Sequence, residues 1–147
     1  MTRALVANVT HRASIRSAIT YDLVGRDKHA PRTGSELLAS SIPSSDPEQI
    51  CAAFERQLSR HPPIAKPIYR TSLSVPSGVS LSPLMWLKIA EHWLRGMKID
   101  PSSHHWYVAR HQDSGHEHIH ISVCRYKLCV NERGPRGGGS LWIAPFS

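Results

Sequence analysis

Residues 111–123 read His-Gln-Asp-Ser-Gly-His-Glu-His-Ile-His-Ile-Ser-Val, and from His116 onward polar and apolar side chains alternate. That period of two specifies an extended strand, with His116, His118, His120 and Ser122 on one face and Ile119, Ile121 and Val123 on the other. One face suits chemistry and the other a core. Just upstream, residues 105–111 (His-Trp-Tyr-Val-Ala-Arg-His) also read as a strand, and Asp113-Ser114-Gly115 is turn chemistry, so a hairpin is expected. With residues 112–115 as its loop, His111 lies across from His116. Directly opposed residues of an antiparallel pair point to the same face. The hairpin therefore gathers His111, His116, His118 and His120 on one surface.

Imidazole is the commonest protein ligand of a catalytic metal, and three ligands with an open position is the pattern of a catalytic site. His111, His118 and His120 are the expected ligands. His116 is either an accessory ligand or a solvent-facing neighbour. Asp113 either orients a histidine through its outer ring nitrogen or simply forms the turn. For a lone histidine a solvated strand face would be explanation enough; four on one face favour a metal.

At 147 residues the chain is one ordinary domain, long enough to bury a core without disulfides or structural metals. Its formal net charge of +7 and pI of about 9.8 call for an anionic partner, nucleic acid being the usual one, although an anionic membrane fits the charge equally well. No stretch approaches the roughly 20 apolar residues of a membrane span. The N-terminal apolar run, interrupted at Asn8, is too short for a secretion signal, so a cytoplasmic location is expected. Cys51, Cys124 and Cys129 form no Cys-x-x-Cys and are odd in number, which points to reduced structural thiols.

Along the chain, residues 4–9 read as a short buried strand. Residues 14–23 read as a helix capped by Ser14, with Ile15, Ala18, Ile19 and Leu23 recurring at helical spacing. Residues 25–45 read as a basic loop, with a short strand at 36–42. It serves either as a solvated connector or as a flap near phosphates. Ser45-Asp46-Pro47-Glu48 starts a helix whose apolar face is Ile50, Ala53, Phe54 and Leu58. Residues 67–75 form a strand with Ile68, Arg70, Ser72 and Ser74 on one side. Ser82-Pro83 starts the next helix, which Gly96 stops. The expected fold class is α+β, a mainly antiparallel sheet with helices on one face. Residues 1–125 are the domain, and 126–147 are a basic, Gly-rich tail or the truncated remainder of that domain.

The spacing His111-x-Asp113-x-x-His116-x-His118-x-His120 followed by an aliphatic resembles the third motif of plasmid mobilisation relaxases of the MobA/TraI type, members of the HUH endonucleases. His118-Ile119-His120 is the HUH element itself. The resemblance implies the same α+β architecture, with the metal and a tyrosine on the open face of the sheet. It implies a nucleophilic tyrosine near the N-terminus, for which Tyr21 is the matching position, preferred over Tyr69, Tyr107 and Tyr126. Periodicity alone leaves Tyr21 a half-buried structural residue. Residues 72–78 resemble the second motif, in which a serine helps hold DNA, and Ser74 is the best match. Asp113 or a nearby histidine would take the phenolic proton. Arg26, Lys28 and Arg110 would be among the residues contacting the DNA backbone.

The implied activity is metal-dependent, strand-specific nicking and rejoining of single-stranded DNA at a transfer origin through a 5′-phosphotyrosyl intermediate, as in conjugative transfer of plasmids between bacteria. Accessory mobilisation proteins would be further partners. The family implies Mg or Mn, whereas three neutral imidazoles also suit Zn or Ni. Two rivals stand beside this reading. One is an HUH replication initiator cutting with Tyr126; the other is an inactive metal- and DNA-binding remnant, suggested by the irregular sequence after Cys124.

Overall fold

The computed structural model describes residues 5–12, 14–24, 34–112 and 115–128. Within them five strands and three helices run in the order β1 (Val6–Arg12), α1 (Ile15–Ile19), β2 (Ser35–Ser40), α2 (Pro47–Ser59), β3 (Ile68–Ser74), α3 (Pro83–Gly96), β4 (Trp106–His111) and β5 (His118–Cys124), with a π-helical turn, Thr20–Val24, continuing α1. The strands form one sheet in the order β1-β3-β5-β4-β2, and every pairing is antiparallel. This is the α+β class that the alternation of patterns implies.

Local chemistry explains the helices. Ser14 accepts from Ser17 N at the start of α1, Asp46 from Glu48 N at the start of α2, and Ser82 from Met85 N at the start of α3; each satisfies a backbone donor that the first helical turn leaves open. Helix α3 ends at Gly96, as expected, with Met97 as its cap, but the left-handed residue that turns the chain is not the glycine: it is Lys98, at φ 61°.

Strand β5 is central and is buried on both of its faces except at His118. On one face Leu73, Val108, Ile119, Ile121 and Val123 pack against Trp86, Leu87, Ala90 and Leu94 of α3. On the other, Ile68, Tyr107, Ala109 and Cys124 pack against Ile15 and Ile19 of α1 and Ile50 and Phe54 of α2. The helices thus divide between the two faces instead of lying on one. The physical reason is in β3 and β4, whose Ile68 and Tyr107 add apolar bulk to the polar face of β5 and need cover of their own. Strand β1 begins later than expected and is an exposed edge, with Val6 68% and Val9 41% accessible. Strand β2 takes the place foreseen for residues 36–42, displaced toward the N-terminus and bulged between Leu37 and Ala39.

Residues 126–128 still belong to the folded body. Leu128 is buried and its N–H donates to Ser103 O, and Gln57 Nε2 donates to Lys127 O. The remainder of the expected tail lies outside the described residues, as does Cys129, whereas Cys51 and Cys124 are free thiols in the core. Among the described residues no helix is long and apolar enough to cross a membrane.

Candidate metal centre and nuclease site

Strands β4 and β5 pair with His111 opposite His118 and Ala109 opposite His120. The pairing is two residues away from the one expected, in which His111 faced His116, so the connection is longer than four residues. Because side chains alternate with a period of two, a slip of two keeps every histidine on its face, whereas a slip of one would have scattered them. Opposite His120, Ala109 leaves room for the ring. The three rings come together with centroids 5.0 Å (His111–His118), 4.5 Å (His111–His120) and 4.9 Å (His118–His120) apart. One nitrogen from each lies within 4.8 Å of the others, so the three could hold a metal ion. His116 is exposed in the connection, outside that group, and contributes its carbonyl, which accepts from His118 Nδ1 at 3.1 Å.

The hydrogen bonds fix which nitrogens face inward. His111 Nε2 lies 2.7 Å from Asp22 O, and a carbonyl can only accept, so this nitrogen carries the proton. By the same reasoning His118 Nδ1, against His116 O, carries the other. In the neutral rings His111 Nδ1 and His118 Nε2 therefore present lone pairs to each other across 3.2 Å. Two lone pairs at that distance repel, and a cation between them turns the repulsion into coordination. The donor set fits a divalent metal, with backbone carbonyls orienting two of the rings as outer partners of metal-bound histidines do.

Tyr21 stands over this cluster, its ring 6.0 Å from that of His111 and 5.9 Å from that of His120. It is delivered by the π-helical turn that follows α1. Next to it Asp22 is fully buried and makes two hydrogen bonds with the guanidinium of Arg70 on β3; Tyr107 Oη donates to its Oδ2 at 2.5 Å. Burial, reinforced by the charge of Asp22, holds the Tyr107 phenol well above its ordinary range, so it remains a donor. Arg70 also reaches Ser122 Oγ at 3.4 Å and lies 5.6 Å from the centroid of the Tyr21 ring.

Ser74 pairs directly with His118 across β3 and β5, and Ser72 with His120, so both hydroxyl residues share the face of the cluster. Arg110 does not. It alternates with His111 and so falls on the opposite face, where its guanidinium binds Glu36 and the Leu81 carbonyl and lies 3.9 Å from Glu117. Arg110 is thus not among the residues that the fold brings to the histidine cluster. Arg26, Lys28 and Asp113 lie outside the described residues.

Sequence reasoning missed three residues. Asp22 falls three positions after Ile19, continuing the buried spacing of α1 into the turn, and Arg70 shares a strand face with Ile68; two opposite charges on inward faces call for partners. That signal was legible. Glu117 carried no such signal. Its carboxylate is buried at the foot of β5 and accepts from Trp86 Nε1, Ser80 Oγ (2.7 Å), Leu81 N (3.1 Å) and Gln112 Nε2 (3.3 Å). Burial raises its proton affinity, but these donors outweigh burial and hold the group below the usual carboxylate range.

Tyr126, the nucleophile of the rival initiator reading, lies past the other end of β5. Six residues beyond His120, it is on the order of 20 Å away along an extended chain. There it stacks on His61 at 4.2 Å and donates to the Pro62 carbonyl.

Compared with known proteins, the sequence matches the family described as relaxase, MobA/VirD2-like, nuclease domain, over residues 26–132. The match contains all three clustered histidines and begins after Tyr21, whose place beside them is a matter of geometry. No curated protein and no solved structure matches. With more than half of its length matched and with an antiparallel sheet that assembles the three histidines, this chain belongs to the MobA/VirD2-like relaxase nuclease-domain family.

Proposed function

We propose that this nuclease domain nicks and rejoins one strand of DNA at a plasmid transfer origin by tyrosyl transesterification, with Tyr21 as nucleophile and His111, His118 and His120 as metal ligands. The observation that carries the reading is the Tyr21 ring about 6 Å from two of the three clustered imidazoles, 5.9 and 6.0 Å by centroid. A divalent ion held there, Mg or Mn by family, would neutralise the scissile phosphate and stabilise the charge that develops on it.

The chain's own residues do the rest. Tyr21 Oη attacks phosphorus in line, its proton passes to an acceptor, for which Asp113 is proposed, and the P–O3′ bond breaks as the 3′ oxygen takes up a proton. The product is a 5′-phosphotyrosyl diester and a free 3′-hydroxyl, and the hydroxyl reverses the step to reseal the strand. Ser74, across from His118, would hold a phosphate oxygen with its hydroxyl; Arg26 and Lys28 would contact the backbone nearby. Such work on plasmid DNA belongs in the bacterial cytoplasm, with accessory mobilisation proteins as partners.

Incubation with labelled single-stranded origin DNA and Mn(II) should give an adduct that survives denaturation. Tyr21→Phe should abolish the adduct and leave metal binding intact, while Tyr126→Phe should leave both unchanged. An adduct formed by the Tyr21→Phe protein would refute the nucleophile assignment.

A further inference from the structure

Asp22 holds both partners of the proposed reaction at once. Its carbonyl takes the N–H of His111, at 2.7 Å, and so turns the opposite nitrogen of that ring toward the cluster. Its carboxylate is clamped to the sheet by Arg70 of β3 and Tyr107 of β4. Its peptide bond joins it to Tyr21. The side chain is completely buried and the Arg70 side chain nearly so, 0% and 4% accessible, so the clamp is shielded from water and does not fray as a surface ion pair does.

The turn that carries these groups is a π-helix, a wide and uncommon geometry that depends on outside contacts to persist and is frequent at functional sites. Ile15, Ala18 and Ile19 bury the first part of this segment; beyond them Leu23 packs against the core only in part, and Asp22 is the one fully buried residue of the turn. The four hydrogen bonds that converge on Asp22 thus bear on both the position of the Tyr21 phenol and the orientation of the His111 ring.

We propose that Asp22 is a positioning residue that couples metal affinity to the placement of Tyr21, acting through the Arg70–Tyr107 clamp on its carboxylate and the His111 bond on its carbonyl. Asp22 touches neither metal nor DNA in this scheme. Its consequence is thermodynamic: if a formed turn favours metal by orienting His111, bound metal favours the formed turn by the same factor. The inference rests on the His111 cluster being the metal site, part of the reading above, but not on Tyr21 attacking DNA.

Two measurements on the DNA-free protein test it. Replacing one member of the clamp strands a buried charge, so the variant is the combined Asp22→Leu, Arg70→Met and Tyr107→Phe, which removes the whole polar group at similar volume. Its Zn(II) affinity by calorimetry should fall about tenfold, the lower end of the effect of removing an outer partner of a ligating histidine. At saturating Mn(II), its adduct yield with single-stranded DNA should fall at least as far. In the unaltered protein, which requires no substitution to fold, Zn(II) should slow hydrogen exchange of the Thr20–Val24 amides by roughly the same tenfold factor.

Exchange in that turn indifferent to Zn(II), in protein that calorimetry shows to be loaded, would overturn the coupling. So would a folded triple variant that binds Zn(II) within twofold of the original. An adduct from Tyr21→Phe would instead sink the nucleophile assignment and leave the exchange result to judge Asp22 by itself.

Discussion

Two backbone carbonyls, of Asp22 and His116, decide how the histidine cluster behaves, because each fixes the tautomer of a ring and leaves a lone pair facing inward. Removing an inward nitrogen should therefore cost more than removing a surface histidine: His118→Ala is expected to weaken Zn(II) or Mn(II) binding at least about a hundredfold, whereas His116→Ala, whose carbonyl survives the change, should stay within severalfold. Calorimetric titration decides, and unchanged affinity in His118→Ala would take that ring out of the ligand set. A histidine remote from the cluster makes a different prediction. His104 is buried, which lowers its proton affinity, and its Nδ1 donates to Cys124 O at 2.8 Å, which offsets only part of the burial. The unfolded chain takes up this proton near the ordinary value of 6.5, and the folded chain only at a lower pH. Between the two values the unfolded state binds more protons, so stability falls as pH drops below that point. The urea midpoint should decline from pH 7 to pH 5, and His104→Asn, which keeps a donor for Cys124 O but cannot titrate there, should decline less. Equal declines would exclude His104 as a contributor.

At the scale of elements, the end of α3 shows local preference yielding to packing. The helix ends at Gly96, yet the glycine does not take the left-handed position that would suit it: Ile99 N–H donates to Leu94 O at 2.8 Å as Ile99 packs on the core, which leaves that position to Lys98. A non-glycine residue there costs roughly 1–2 kcal/mol, part of which glycine would return as added freedom of the unfolded chain, so Lys98→Gly should stabilise by about 0.5 kcal/mol. Urea denaturation checks it, and a loss of stability would mean that the Lys98 side chain makes contacts worth more than the strain. The same contest explains which elements could be read in the sequence. Helices α1, α2 and α3 were legible because Ser14, Asp46-Pro47 and Ser82-Pro83 announce their starts and the apolar spacing follows at once. Strands β3, β4 and β5 were legible from their period of two, and so were the faces of Ser74 and the histidines. The register between β4 and β5 was not, since Asp113-Ser114-Gly115 offers a tight turn by composition, while Glu117, drawn to Trp86, Ser80 and Leu81, ties the foot of β5 to the start of α3. The Asp22–Arg70 pair was legible only as two charges on inward faces; that they meet depends on the turn after α1 docking against β3, a long-range fact absent from either local pattern.

For the molecule as a whole, the two-sided cover of the sheet determines where a nucleic acid can lie. Helix α3 closes one face, and α1 with α2 closes the Ile68, Tyr107 and Cys124 end of the other. That second face opens toward His118 and Ser74, both only half-buried, and onward to the exposed edge strand β1, where Asn8 pairs with Ser72 and Val6 with Ser74. A single strand entering the histidine cluster would leave across β3 and β1, over hydroxyl and amide side chains that bond phosphate and sugar without reading sequence. Such contacts orient, and the attraction that draws the strand in must come from charge, which the net +7 supplies. Each phosphate neutralised on a single strand adds about −0.7 to the slope of log affinity against log salt, so contact with seven phosphates, as many as the net charge, would give a slope near −5. Binding of a single-stranded oligonucleotide, followed by fluorescence anisotropy between 50 and 200 mM salt, is expected to fall with a slope between about −1 and −5. A slope near zero would show that the excess positive charge lies away from the path of the DNA. In that case the open end of the sheet, with its serines and asparagine, would have to account for affinity by hydrogen bonding alone, which water competes for at every contact.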